Sequence, residues 1–168
     1  QLDFEAASAS AASSKVIDDY ARSLELWAQQ PLMSRILVGD PDGEIAELMR
    51  TGLKRLPGMR HISCIAMDGT VVASTNPAQA PPKIPVTSKR VAEFQKGVRA
   101  SIDIEGGELR LHVPVNSHSD EKQLIGVLQA RVDPGALIVD ERPSWSVLRV
   151  QGSGQLAQHV GKLRERGG

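Results

Sequence analysis

The sequence predicts an α+β domain, five antiparallel strands with helices on one side. Three observations carry this. Apolar residues recur at helical spacing in two early segments, an Asp68-Gly69 pair joins two β-prone runs, and a later segment alternates apolar with polar side chains.

Residues 1–30 are rich in Ala and Ser and read as one long helix. Val16, Tyr20, Leu24 and Trp27 fall at spacings of four, four and three, which makes one apolar stripe. Upstream of Ser14 the stripe fades into small residues, which suit close approach of a partner helix. A homodimer contact is therefore expected on this half. Pro31 ends the helix. A second helix has Asp40 as N-cap and Pro41 at its first position. Its buried face is Ile45, Leu48, Met49, Leu53 and Leu56, and Gly58 closes it.

Strands are expected at 61–67 and 70–74, with Asp68-Gly69 as the hairpin turn between them. Residues 76–86 hold Pro77, Pro81, Pro82 and Pro85, which excludes a regular helix or a central strand. Thr87 or Ser88 then caps a short helix carrying Val91 and Phe94, stopped by Gly97. Three more strands follow at about 100–104, 108–115 and 123–132, with Glu105-Gly106-Gly107 turning the first into the second. In the second, Leu109, Leu111, Val113 and Val115 share one face, which places Arg110 and His112 on the other, toward solvent. Beyond Pro134 the pattern weakens to a helix at 136–139, a strand at 145–150 and a helix at 156–163. Gly152 and Gly154 form a joint before the last piece. The chain thus divides into an amino-terminal helix (1–30), a central domain (31–138) and an extension (139–168).

Composition narrows the function. Acidic and basic residues balance at 20 each, which argues against a nucleic-acid partner. Lys162, Arg164 and Arg166 cluster at the chain end and read as a solvated tail. Aromatic residues make up 3%, too few for an amine cage or for stacking nucleobases. The single cysteine, Cys64, excludes an intrachain disulfide and reads as a buried, inert thiol. No run approaches the roughly 20 apolar residues that span a bilayer. The first residue is Gln and no signal peptide is visible, so the chain is expected to be an excerpt whose membrane segments lie elsewhere.

Catalytic chemistry is not visible. His61, His112, His118 and His159 are scattered, with none at helical spacing from another, so no metal site is expected and no cofactor is implied. Gly106-Gly107-Glu108-Leu109-Arg110 lacks the second acidic residue and the aromatic of a cyclic-dinucleotide cyclase signature, and reads as a turn. His159 is followed by Val160 rather than the acidic residue usual after a kinase phosphoacceptor histidine. No acyl-transfer, phosphoryl-transfer or metal-hydrolysis constellation stands out. The chain is not expected to be an enzyme by itself.

Met67-Asp-Gly-Thr-Val-Val-Ala-Ser-Thr-Asn-Pro77 resembles the hairpin of Cache domains, the extracytoplasmic PAS-like sensors. Residues 90–97 resemble the family's short helix, which ends in Phe, a basic residue and Gly. Leu111-His-Val-Pro-Val115, a polar loop, and Leu124-Ile-Gly-Val-Leu-Gln-Ala-Arg-Val-Asp133 are similar to its closing strands. The resemblance spans about residues 15–138 and takes the long helix as the family's amino-terminal one. It implies a PAS-like sheet and a periplasmic or extracellular sensor of a histidine kinase, chemoreceptor or cyclic-dinucleotide enzyme. It also implies a small-molecule ligand on the sheet, under the Pro-rich loop and the short helix.

Polar side chains where apolar ones bury at lower cost are the pocket candidates. His61 and Ser63 share a strand face, which is either pocket or solvent. Arg90 either pairs a ligand carboxylate through its planar fork or lies on a solvated helix face. Ser101 and Asp103 face away from Ile102 and Ile104. Gln129 and Arg131 oppose Leu128 and Ala130, on a strand apolar on both sides. The candidate ligand-binding set is His61, Ser63, Arg90, Phe94, Asp103, Gln129 and Arg131, with no catalytic residue and no metal ligand. Two other readings stay open: a cytoplasmic PAS- or GAF-like interaction module without ligand, and a small enzyme whose residues converge only in three dimensions.

Overall fold

The computed structural model describes residues 2–137, with side chains from residue 15 to 135. The extension expected at 139–168, including His159 and the basic tail, lies outside the described residues.

Helix α1 (Leu2–Ala28) runs 27 residues, roughly 40 Å at 1.5 Å per residue. Its core-facing residues are Ile17, Tyr20, Leu24 and Ala28, with Val16 and Trp27 half-buried beside them. The expected stripe is thus rotated by about one position. After Pro31 the chain makes a 3-10 helix, Pro31–Leu37, an element that the sequence pattern does not predict. It drives Met33 and Ile36 into the core.

Helix α2 (Glu44–Leu53) starts later than expected, with Gly43 as its N-cap in the left-handed region, at φ 69°. Asp40 still serves the helix start. Its two carboxylate oxygens accept the Ile45 and Ala46 amides at 3.0 and 3.1 Å, from three residues outside the cap, so Pro41 lies in the lead-in turn. Capping chemistry requires an acceptor near the first free amides, and an intervening turn supplies that as well as sequence adjacency does. The α2 core face is Ile45, Ala46, Met49 and Gly52, and the helix ends at Leu53, before Gly58.

The strands are β1 (Met59–Ala66), β2 (Val71–Ser74), β3 (Ser101–Glu105), β4 (Glu108–Asn116) and β5 (Leu124–Val132), with α3 (Ser88–Gln95) before β3. They form one antiparallel sheet in the order β2-β1-β5-β4-β3. This is an α+β fold of the PAS-like kind expected, except that the helices do not all lie on one side: α3 reaches Asp103 on the sheet face opposite α1 and α2. The Asp68-Gly69 turn behaves as expected. Gly69, at φ 87°, donates to the Ala66 carbonyl, and the Asp68 carboxylate accepts the Thr70 amide. Residues 76–86 form neither helix nor strand, tied to the hairpin by a single bridge between Thr70 and Lys83.

The core sits between one face of the sheet and the helices α1, α2 and Pro31–Leu37. Ile62, Cys64, Leu128, Ala130, Leu109, Leu111 and Val113 supply the sheet side, alternating along each strand. Each large side chain withdrawn fully from water there contributes roughly 1.5–3 kcal/mol. The opposite face carries the polar residues.

Candidate functional site

Strand pairing arranges those polar residues in two rows. Ser63 on β1 pairs with Gln129 on β5, which pairs with His112 on β4, which pairs with Ser101 on β3. The next row is His61, Arg131, Arg110 and Asp103. Every second residue of a strand points to the same side, so all eight share the face away from the helical core.

This face is covered. Arg90, in the first turn of α3, pairs with the Asp103 carboxylate, which brings the helix over β3 and β4. Thr87 fixes the start of that helix by accepting the Arg90 amide at 3.3 Å. Farther across the sheet, Gln79, Ala80, Pro81 and Ile84 of the Pro-rich segment close over His61, Ser63, Ser74 and Arg131, and leave a cavity of about 10 Å³. That is room for about one water molecule.

The burial is deepest in the middle. Ser63, His112 and Gln129 are all below 10% exposed, and His112 is at 2%. The sequence reading placed Arg110 and His112 in solvent, and the structure corrects both. The two faces alternate as expected, but a strand pattern does not reveal that α3 and its lead-in lie across the second face. Arg110 and His112 both lie among charged side chains. His112 Nε2 lies 3.2 Å from Asp103 Oδ2, though not aligned to bond it. Arg110 reaches Glu105 at 2.6 Å, and Arg131 approaches Glu108 at 3.6 Å.

Among the described residues, four buried side-chain nitrogens lack a hydrogen-bond partner: Arg90 Nε, Arg110 Nε and both ring nitrogens of His112. Buried polar groups are nearly always bonded, so four in one cluster are unusual. Burial, and then the positive fields of Arg90 and Arg110, push the His112 pKa down to about 3, so its ring is neutral at physiological pH. Burial also pulls Arg90 below the ordinary arginine value, against the favourable pull of Glu93 and Glu105.

No protein-family model matches this chain, and no curated protein matches it in sequence.

Of the seven candidates, six are partly or fully withdrawn from water within this face: His61, Ser63, Arg90, Asp103, Gln129 and Arg131. Phe94 is also buried, but it lines a separate open groove of about 570 Å³ with Glu25, Gln29, Val98, Arg99 and Pro114. The residue that sequence reasoning missed is His112, the most buried polar side chain of the face. The sequence carries no signal for this, because the register of His112 with Gln129 and Ser63 is set only by the strand pairing.

Among the described residues, no cluster of His, Cys, Asp and Glu is placed to hold a metal ion. Cys64 sits on the opposite, apolar face, and burial followed by the Asp40 charge pushes its thiol up to about 12, far from a reactive thiolate. No helix among the described residues is long and apolar enough to cross a membrane.

Proposed function

We propose that this chain is an extracytoplasmic sensor domain that binds a small molecule on the polar face of its sheet and passes the event to α1. The reading fits a Cache-type receptor, with the membrane spans and output module in other segments of the full protein. The observation that carries it is the enclosed polar row Ser63-Gln129-His112 beneath α3 and the Pro-rich segment. Burying such groups costs free energy that an apolar row would not. A binding surface gives that cost a use.

The closed cavity implies a gate. With about 10 Å³ under the Pro-rich segment, a ligand enters when residues 76–86 lift, and that segment is held by few sheet bonds. Strand β4 links the two sides of the sheet, since His112 faces the ligand side while Leu111 and Val113 face the core under α1. A ligand that favours one arrangement shifts the population of the other, and tenfold differential affinity corresponds to about 1.4 kcal/mol. In this reading the Ala- and Ser-rich start of α1 supplies the homodimer contact, and the domain works in the periplasm.

The test is a thermal-shift screen of organic acids, amino acids and amines. A compound at about a hundredfold its Kd stabilises the fold by roughly 2.7 kcal/mol. The stabilisation is expected to disappear in Gln129→Leu, whose own fold is checked by its amide spectrum. A panel without any stabilising compound, or a hit indifferent to Gln129, removes the sensor reading.

A further inference from the structure

We propose that Arg90, Arg110 and His112 form a site for a small carboxylate, and that Asp103 is the protein's own occupant of that site, competing with the ligand. The inference deepens the sensor reading and rests on it for its biological meaning, while the binding event is measurable by itself.

The donors come first. Three side chains from α3 and β4 converge with four buried nitrogens that no described residue satisfies. Three of the four are donors. Each Arg Nε carries an N–H and accepts nothing, while a neutral imidazole offers one N–H and one nitrogen that accepts. Such a set calls for an acceptor with several lone pairs, which a carboxylate supplies in planar form.

The second observation is Asp103 itself. Its carboxylate pairs with Arg90 and lies 3.2 Å from His112 Nε2, so a carboxylate already stands beside both the helix donor and the strand donor. Yet it leaves both Nε groups and the imidazole unsatisfied. Attached to β3 by a short side chain, it reaches one edge of the donor set only. A free carboxylate has no such tether.

Exposure gives the direction of exchange. The Arg90 and His112 side chains are 12% and 2% exposed, whereas that of Asp103 is 46% exposed. Asp103 is the wet member, positioned to rotate outward while the two buried donors stay in place. A ligand anion then replaces it without carrying a lone cation into the interior. Because the internal carboxylate must be displaced, it lowers the apparent affinity and rejects weak anions.

Acetate is the probe, titrated at constant ionic strength while the ring resonances of His112 are followed by NMR. Asp103→Asn keeps the shape and removes the competing charge. It is expected to bind acetate about tenfold more tightly than the wild type, a difference of about 1.4 kcal/mol. Adding Arg90→Gln to that variant abolishes saturable binding. Asp103→Ser serves if the Asn variant fails to give a native amide spectrum. Equal affinity in wild type and Asp103→Asn, saturation that survives Arg90→Gln, or a preference for inorganic phosphate or chloride over acetate overturns the proposal. A screening hit that stabilises the fold through Gln129 but leaves His112 unmoved rejects this site and leaves the sensor reading standing.

Discussion

Gly58 and Tyr20, 38 residues apart, are joined by one buried hydrogen bond, in which the Gly58 amide donates to Tyr20 Oη at 3.1 Å. It ties α1 to the turn that launches β1, and the Gly58 carbonyl in turn accepts the Asp133 amide at 2.8 Å just beyond β5. One turn therefore fixes the long helix against the two central strands. Tyr20→Phe keeps the ring and strands a buried amide, which costs about 1–3 kcal/mol. At roughly 2–4 °C per kcal/mol for a chain of this size, calorimetry is expected to show Tm lower by several degrees. An unchanged Tm means the bond carries no weight.

Gly52 and Trp27 give a prediction whose sign departs from helix propensity. Gly52 is buried within α2, where alanine is ordinarily better by about 1 kcal/mol. Here a Cβ would run into the indole carbons of Trp27. Gly52→Ala is therefore expected to destabilise by about 1–3 kcal/mol through overpacking, read from urea midpoints and Trp fluorescence. A more stable variant shows that the indole can move aside at little cost.

His112 makes stability depend on acid. Its pKa in the folded chain is pushed down to about 3, below the ordinary value of 6.5, so on acidification the unfolded chain takes up the proton first. This contribution is fully present above about pH 6.5 and is lost progressively as pH falls toward 3, at up to about 1.4 kcal/mol per unit. His112→Gln is expected to lose less stability than the wild type between pH 6.5 and 4 in urea titrations. Parallel pH profiles contradict the assignment of that slope to His112.

Cys64 should be silent. The thiol is fully buried and raised to about 12, so iodoacetamide at pH 8 is expected to label it only when the sheet opens. The labelling rate should then rise with urea in step with unfolding. Rapid labelling of the native protein contradicts the packing of β1 between β2 and β5.

Much of the architecture was legible because local chemistry enforces it. Asp68-Gly69, Thr87 and Gly97 mark turns and caps with their own backbone requirements, and the period-two pattern of β4 sets its two faces in sequence. Asp40 was recognised as a helix-starting acceptor, although the helix begins at Glu44, because an acceptor works across a turn and sequence position alone does not say where. The helix Pro31–Leu37 is not legible in the sequence, since seven residues with two core side chains show too little periodicity.

By itself, then, the amino-acid order determined the five strands, the capped helices and which side chains alternate together. It did so through interactions spanning a few residues. Tertiary structure alone decided that the second sheet face is covered, that Arg90 meets Asp103, and that His112 is buried among guanidiniums. Those outcomes depend on where α3 and the Pro-rich segment come to rest, and coverage by a distant segment leaves no mark on the period of the strand it covers.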